Sequence, residues 1–185
     1  MPKTFKPTMK IRSFIACSLD GFIARPDGAL DWLENPAFTI AEEDFGYAQF
    51  MAGTRCLVMG RNTFEKVLTF GEWPYKGTRV IVLSQSLKTL PETHRDKAEL
   101  SAESPLTLTE RLQREGEDSL YIDGGRLIQS FLRTGLLNEL IVTRVPLLLG
   151  RGIPLFGELN GDILLHLLAN KSYANGFVQS HYRIG

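Results

Sequence analysis

Short apolar runs alternate with amphipathic segments along most of the chain, and this alternation predicts strands that are followed by helices. Runs such as "RCLVMG" and "RVIVLS" are almost wholly apolar, which is typical of buried strands. The predicted strands are residues 11–18, 55–60, 79–84, 119–123, 139–149, 162–173 and 177–184. The predicted helices are residues 41–51, 62–68, 107–115 and a last one that begins at Arg126 and closes at Gly135.

This order of elements predicts an α/β sheet that is mostly parallel. The last two strands form an antiparallel end, because Asn175-Gly176 between them is a strong hairpin signal. Residues 1–10 are expected to be an N-terminal tail, and residues 11–185 a single domain. Functional residues in such sheets gather at the carboxyl ends of the strands.

The stretch "SLYIDGGRLIQSFL" places two glycines between a predicted strand and a predicted helix. One interpretation is a tight turn, because glycine adopts positive φ without a steric penalty. The other interpretation is a phosphate site, in which glycine lets a ligand approach the free N–H groups of the helix start. The stretch alone leaves both interpretations open.

A second strand end has a similar pattern, in "VMGRNTFE". Gly60 ends the strand, and Arg61 and Thr63 supply charge and a hydroxyl to an anion. Arg126 repeats the pattern after the two glycines, and a third strand end offers Ser84 and Ser86. Together these positions favour a dinucleotide at the edge of the sheet. The alternative is that both arginines are solvated residues at helix starts.

Composition excludes several classes of function. Lys and Arg balance Asp and Glu at 21 each, so no nucleic-acid partner is expected. No apolar run is long enough to span a membrane, and the chain is expected to be cytoplasmic. Cys17 and Cys56 lie in apolar runs and are expected to be buried thiols. His94, His166 and His181 are far apart, so no metal site is expected.

Several segments in this order resemble the dihydrofolate reductase superfamily. They include "FIACSLDGFIA", "EEDFGYAQF", "CLVMGRNTFE", "RVIVLS" and "LYIDGGRLIQSFL", and they cover roughly residues 11–160. The segment "PLLLGRGIPLF" is similar to the reductase domain of riboflavin biosynthesis, the RibD C-terminal domain, in a stand-alone form. The zinc deaminase signatures that usually accompany that branch are absent from this sequence, so a reductase alone is expected.

The resemblance implies a fold and a chemistry. The fold is a dihydrofolate reductase-like mixed sheet of about eight strands, with an antiparallel C-terminal hairpin and helices on both faces. The chemistry is hydride transfer from NADPH to a pyrimidine or pteridine-like heterocycle, and the protein would be a homodimer. By this resemblance, the cofactor-binding residues are Ala16, Asp20, Gly21, Ile23, Gly60, Arg61, Thr63, Ser84, Gly124, Gly125 and Arg126.

The same resemblance implies residues for substrate and catalysis. Asp44 lies on the predicted helix before "MGRNT", where folate reductases carry the carboxylate that grips the substrate. Partial burial would raise its pKa toward that of a useful proton donor. The alternative is that Asp44 only stabilises the helix start. Thr143 would relay a hydrogen bond, and Trp32 would form a wall of the substrate pocket.

One position departs from the folate enzymes. They carry an arginine just before the "RVIVLS" strand, whereas this chain has Thr78 there and Arg79 one residue later. A shift of one residue in a strand turns a side chain to the other face. Three hypotheses remain: an NADPH-dependent reductase close to the riboflavin branch, a dihydrofolate reductase, and a nucleotide-binding protein without turnover.

Overall fold

The computed structural model describes residues 9–185. The strands are β1 (Lys10–Ser18), β2 (Phe22–Ala24), β3 (Cys56–Gly60), β4 (Arg79–Leu83), β5 (Glu99–Ser101), β6 (Ser119–Asp123), β7 (Glu139–Val145), β8 (Ile153–Pro154), β9 (Leu165–Ser172) and β10 (Val178–Ile184). The α-helices are α1 (Tyr47–Ala52), α2 (Arg61–Val67), α3 (Pro105–Arg114) and α4 (Gly125–Arg133). Short 3₁₀ turns occupy residues 36–38, 68–70 and 92–94. None of the helices within residues 9–185 is long and apolar enough to cross a membrane.

Eight strands form one sheet in the order β5-β4-β3-β6-β1-β7-β10-β9. All pairs from β5 to β7 are parallel. The C-terminal strand β10 runs antiparallel to both β7 and β9. The predicted mostly parallel sheet with an antiparallel end is therefore confirmed. The short strands β2 and β8 pair in a separate two-stranded sheet.

Alternate residues of the central strands enter two different cores, as the two-residue period of a strand requires. In β3, Cys56 and Val58 belong to a first core, and Leu57 and Met59 belong to a second. The first core packs under α3 and α4, and the second packs under α1 and α2. Helices therefore cover both faces of the sheet, as predicted.

The predicted tail ends slightly earlier than expected. Met9 is buried in the first core, and Lys10 already begins β1. The rest of the predicted tail, residues 1–8, lies outside the described residues. Strand β7 ends at Val145, because Pro146 has no N–H to donate to a neighbouring strand.

The prediction of a helix over residues 41–51 is wrong in its first half. Helix α1 begins only at Tyr47, and Glu42 and Phe45 both adopt positive φ. The Asp44 carboxylate accepts hydrogen bonds from the N–H groups of Gly46 at 2.9 Å and Ala48 at 2.8 Å. Aspartate side chains compete with the helix for backbone N–H groups, and this competition delays the helix start.

Candidate active site

A cavity of about 730 Å³ opens at the carboxyl ends of the central strands. Strands β3, β6 and β1 are neighbours in the sheet, and the ends of β3 and β6 line the cavity together with Phe14, Ile15 and Ala16 of β1. Its other walls come from the first turns of α2 and α4 and from the segment between β2 and α1. Parallel sheets generally place their ligands at this edge, so this cavity is the candidate active site.

The first helix start in the cavity is that of α2. Gly60, Arg61 and Thr63 all line the cavity, and Lys66 joins them one turn later. The Arg61 guanidinium is about half exposed, and its distance to the carboxylate of Glu65 is 3.7 Å. A surface ion pair of this length holds an arginine weakly, so Arg61 is available to an anion.

The second helix start is that of α4, where Gly124, Gly125 and Arg126 line the same cavity. No side chain caps the first turn of α4, so its N–H groups lack side-chain hydrogen bonds. In the register of β3 and β6, Met59 lies opposite Asp123. Gly60 and Gly124 therefore end neighbouring strands, and the predicted meeting of the two glycine–arginine helix starts is present in the structure.

The two consecutive glycines each have a reason in the protein's own packing. Gly124 has φ of +101°, and a Cβ atom there would collide with the hydroxyl of Thr63. A Cβ atom on Gly125 would lie 2.7 Å from Cδ1 of Ile23 and 3.2 Å from the carbonyl oxygen of Pro154. The interpretation as a tight turn therefore accounts for both glycines, and the same turn leaves the start of α4 facing the cavity.

Asp123 is the acidic residue that the sequence reasoning missed. It ends β6, lines the cavity and is only partly exposed. Burial raises the pKa of its carboxyl group to about 6, although the N–H of Gly124 lowers it. A carboxylic acid with such a pKa can hold and release a proton near neutral pH. In the sequence Asp123 looks like an ordinary turn residue, and its position between a buried strand and a double glycine was the available signal.

Three tyrosines surround Asp123. Burial and then the charge of Asp123 raise the pKa of Tyr47 to about 12 and also raise the pKa of Tyr75. Tyr121 is fully buried and its pKa is raised for the same two reasons. Tyr75 lines the cavity, so a phenol and a carboxylic acid face the same space.

Ala16 and Ile23 line the cavity beside β1, as the resemblance implies for residues near a nicotinamide ring. Asp20 and Gly21 lie on the loop between them but do not line the cavity. The Asp20 carboxylate accepts hydrogen bonds from the Ser18 hydroxyl at 2.6 Å and from the N–H groups of Leu149 and Gly150. These hydrogen bonds lower the pKa of Asp20. They also connect the loop after β1 to the loop after β7.

Ser84 follows β4 but does not line the cavity, whereas Ser86 does. The Ser84 hydroxyl accepts hydrogen bonds from the N–H groups of Ser86 at 3.3 Å and Leu87 at 3.0 Å. It is therefore engaged in its own turn, and Ser86 is the better placed of the two serines to contact a ligand.

The structure favours the alternative interpretation of Asp44. Its side chain is exposed and does not line the cavity. The hydrogen bonds from Ala48 and Gly46 lower its pKa, so the expectation of a raised pKa is wrong. The physical reason is that Asp44 precedes α1 and accepts the free N–H groups of its first turn.

Thr143 and Trp32 also lie outside the cavity lining. Thr143 is opposite Ala16 in the sheet, and its hydroxyl accepts a hydrogen bond from Gln179 at 3.0 Å. Trp32 is almost fully buried against Val145 and Phe177, because its loop folds over the antiparallel end of the sheet. The expected pocket wall is supplied instead by its neighbours in sequence, Leu30 and Leu33.

Arg79 has a structural role at the opposite end of the sheet. It begins β4, and its guanidinium donates to the carboxylates of Glu99, Glu115 and Glu117 at 2.8–3.2 Å. These carboxylates occupy the arginine far from the cavity. Among residues 9–185, no group of three or more His, Cys, Asp or Glu residues is placed to hold a metal ion. Cys17 and Cys56 are both buried free thiols, as predicted.

The fold and the cavity together define a dihydrofolate reductase-like domain. Residues 9–178 match the family described as the RibD C-terminal domain. The uncharacterized protein YwjB of Bacillus subtilis is 36% identical over 173 residues, which cover 91% of this chain and 94% of YwjB. The chain therefore belongs to the RibD C-terminal domain family, a family of reductases that use nicotinamide cofactors.

Solved structures agree with this assignment. A putative riboflavin biosynthesis protein from Shewanella sp. PV-4 superposes with a TM-score of 0.90 at 38% identity, over 96% of this chain and 99% of that chain. RibD of Acinetobacter baumannii has the same fold, with a TM-score of 0.72 at 16% identity. The superposition covers 97% of this chain and 59% of that RibD chain. The predicted resemblance to the RibD C-terminal domain is therefore confirmed.

Proposed function

We propose that this protein is an NADPH-dependent reductase that acts on a pyrimidine or pteridine-like heterocycle. The observation that carries the proposal is the meeting of two arginine-bearing helix starts and a buried carboxylic acid in one cavity. Membership of the RibD C-terminal domain family supports the class of reaction. A Thermotoga maritima protein of the same fold is named as a diaminohydroxyphosphoribosylaminopyrimidine deaminase/5-amino-6-(5-phosphoribosylamino)uracil reductase, and this chain covers 56% of it.

The residues of the cavity fit the cofactor. Its phosphate groups would be bound by Arg61, Arg126 and the Thr63 hydroxyl, with the uncapped start of α4 adding backbone N–H groups. Lys66 and Ser86 extend this polar side of the cavity and would help to bind an adenosine 2′-phosphate. Ala16 and Ile23 give the nicotinamide end an apolar wall. When bound, NADPH supplies the hydride.

The substrate would lie beside Asp123. Reduction of a C=N or C=O bond adds a hydride to carbon and requires a proton on the nitrogen or oxygen. Asp123 could donate that proton, because burial raises its pKa to about 6, and the group is therefore protonated to a higher pH than an ordinary carboxyl group. Phe14, Leu30 and Leu33 supply apolar surface on which a flat ring can pack.

The proposal is tested by following NADPH absorbance during incubation with a panel of ribosylaminopyrimidines, pteridines and dihydrofolate. Turnover of a ribosylaminopyrimidine, faster than that of dihydrofolate, is the expected result. Turnover of dihydrofolate alone would support the folate hypothesis instead. Calorimetric titration with NADPH separates the remaining outcomes: binding without any turnover would indicate a nucleotide-binding protein, and no binding would overturn the cofactor assignment.

A further inference from the structure

The residues that line the cavity divide by position into a polar set and an apolar set. Within the described residues 9–185, every lining residue with a charged or hydrogen-bonding side chain lies at positions 61–126. The nine lining residues at positions 14–33 have no such group, and Phe14, Ile23, Leu30 and Leu33 are the largest of them. We call these nine residues the apolar wall.

The basic residues that line the cavity are Arg61, Lys66 and Arg126, in the part of the chain that the structure describes. All three belong to α2 and α4, where the proposed function places the phosphate groups of NADPH. NADPH carries a pyrophosphate and a 2′-phosphate, so its phosphate groups match these side chains one for one. A phosphate on the substrate would therefore meet no remaining basic residue in the described lining of the cavity.

Three arginines that lie close to the apolar wall in sequence, or that the folate enzymes suggest, are bound elsewhere. The Arg25 guanidinium donates to both oxygens of the Asp31 carboxylate, at 2.6 and 2.9 Å. Arg12 donates to the carbonyl oxygen of Gly53 at 2.8 Å. Arg79 donates to three glutamates at the opposite end of the sheet. None of these three arginines lines the cavity.

We propose that the substrate has no anionic tail, and that it is an aminopyrimidine or pteridine with neither a phosphate nor a glutamate group. This inference rests on the proposed function, because it assigns the three basic residues of the cavity to NADPH. A charged group that is buried against the apolar wall without a partner costs free energy, whereas a flat uncharged ring gains by contact with it. Asp123 also lines the cavity and, when it is ionised, repels a second anion.

The test compares 5-amino-6-(ribosylamino)uracil with its 5′-phosphate, because these two compounds differ only in the phosphate group. The rate of NADPH consumption, measured at saturating NADPH, gives kcat/KM for each compound. The compound without phosphate should have a kcat/KM at least about tenfold higher, which corresponds to about 1.4 kcal/mol. Dihydrofolate and 6-methyl-7,8-dihydropterin form a second pair, in which the compound without the glutamate should be preferred.

Leu30→Lys adds a positive charge to the apolar wall at a half-buried position. It should raise kcat/KM for the phosphorylated compound and so reduce the preference to about threefold or less. Pro26→Lys, at an exposed position of the same wall, serves if Leu30→Lys fails to fold. Leu106→Lys is the matched control, because Leu106 is 52% exposed on α3 and does not line the cavity. Its preference should equal that of the wild type.

A wild-type protein that prefers the phosphorylated compound, or that uses both equally, would overturn the inference and leave the proposed function intact. Loss of such a preference in Arg151→Ala would place the phosphate in the separate cavity of about 320 Å³ that Arg151 and Pro26 line. A preference that folded Leu30→Lys and Leu106→Lys proteins both retain in full would also overturn it. No NADPH consumption with any of the four compounds would instead overturn the proposed function, and the inference with it.

Discussion

The hydroxyl of Thr63 occupies the space that a side chain at Gly124 would need. Thr63 lies in the first turn of α2 and Gly124 immediately precedes α4, and these two helices follow neighbouring strands. This contact fixes the spacing of the two helix starts at the cavity. It also requires glycine at position 124 for two separate reasons, because the backbone φ there is +101°.

Gly124→Ala should therefore destabilise the protein and weaken the binding of NADPH. The backbone at Gly124 (φ +101°, ψ +134°) is sparsely populated for other residues and costs an alanine about 1–3 kcal/mol. The collision with Thr63 adds a cost of about 1–3 kcal/mol. Gly60→Ala is the control, because its φ is −78° and no atom lies within 4 Å of a Cβ atom placed there. Urea denaturation should show a large loss for the first variant and a small one for the second. Equal losses would contradict the contact.

Arg61→Ala should weaken NADPH binding about 10- to 100-fold, the range expected when a hydrogen bond to a charged group is lost. Binding of NADH should change far less if Arg61 contacts the 2′-phosphate. Arg133→Ala is the control, since Arg133 is exposed at the other end of α4. Calorimetric titration with both cofactors measures the effect. An equal loss of affinity for NADPH and NADH would show that Arg61 does not contact the 2′-phosphate.

Asp123→Asn should reduce turnover about 10²- to 10⁴-fold, the contribution of a general acid. NADPH affinity should be little changed, because asparagine keeps the shape of the side chain. The wild-type rate should fall as pH rises through about 6, where the carboxylic acid loses its proton. The variant should lack this pH dependence. Full activity of Asp123→Asn would return the proton-donor role to another group, such as Tyr75.

The same substitution should make the protein more stable above pH 6. The pKa of Asp123 is raised on folding from 3.8 to about 6, so the folded state binds the proton more tightly. The wild-type protein consequently loses stability as pH rises between these two values, by about 2–3 kcal/mol in total. Thermal unfolding should show Asp123→Asn with the higher Tm at pH 8 and no such advantage at pH 3.5. A Tm difference that does not depend on pH would show that the effect of the substitution does not arise from the raised pKa of Asp123.

Asp44→Ala should lower stability slightly and leave turnover unchanged, because Asp44 is exposed and caps the start of α1. Asp44→Asn should keep both, since asparagine is also a good capping residue. The pKa of Asp44 is lowered on folding, so its contribution is complete at neutral pH and is lost as pH falls below its ordinary value of 3.8. Loss of turnover in a folded Asp44→Asn protein would restore the catalytic assignment.

The central sheet could be predicted from the sequence because its strands are short and buried on both faces. The run at 119–123 matches β6 in both limits, since a buried parallel strand needs almost only apolar residues. Strand β5 was missed, because three residues are too few to form a pattern. The start of α1 was misplaced because a propensity argument cannot show that Asp44 bonds to the backbone two and four residues later.

The residues of the site that follow strand ends could be predicted from the sequence. The properties that depend on burial could not. Gly60, Arg61, Gly124 and Arg126 meet because parallel strands bring their carboxyl ends together. The raised pKa of Asp123 arises from the walls around it, which come from distant parts of the chain. The position of Trp32 could not be predicted for a related reason. Its apolar side chain indicates burial, but the sequence does not show which apolar cluster it joins.

The two helix starts at the cavity belong to opposite layers of the domain. Helix α2 packs on the second core through Phe64, and α4 packs on the first core through Ile128. A ligand that contacts Arg61 and Arg126 together would therefore bridge the two layers across the end of the sheet. Binding of such a ligand would raise the free energy of local unfolding in both layers. Amide hydrogens of α2 and α4 should therefore become protected from exchange together when the ligand binds.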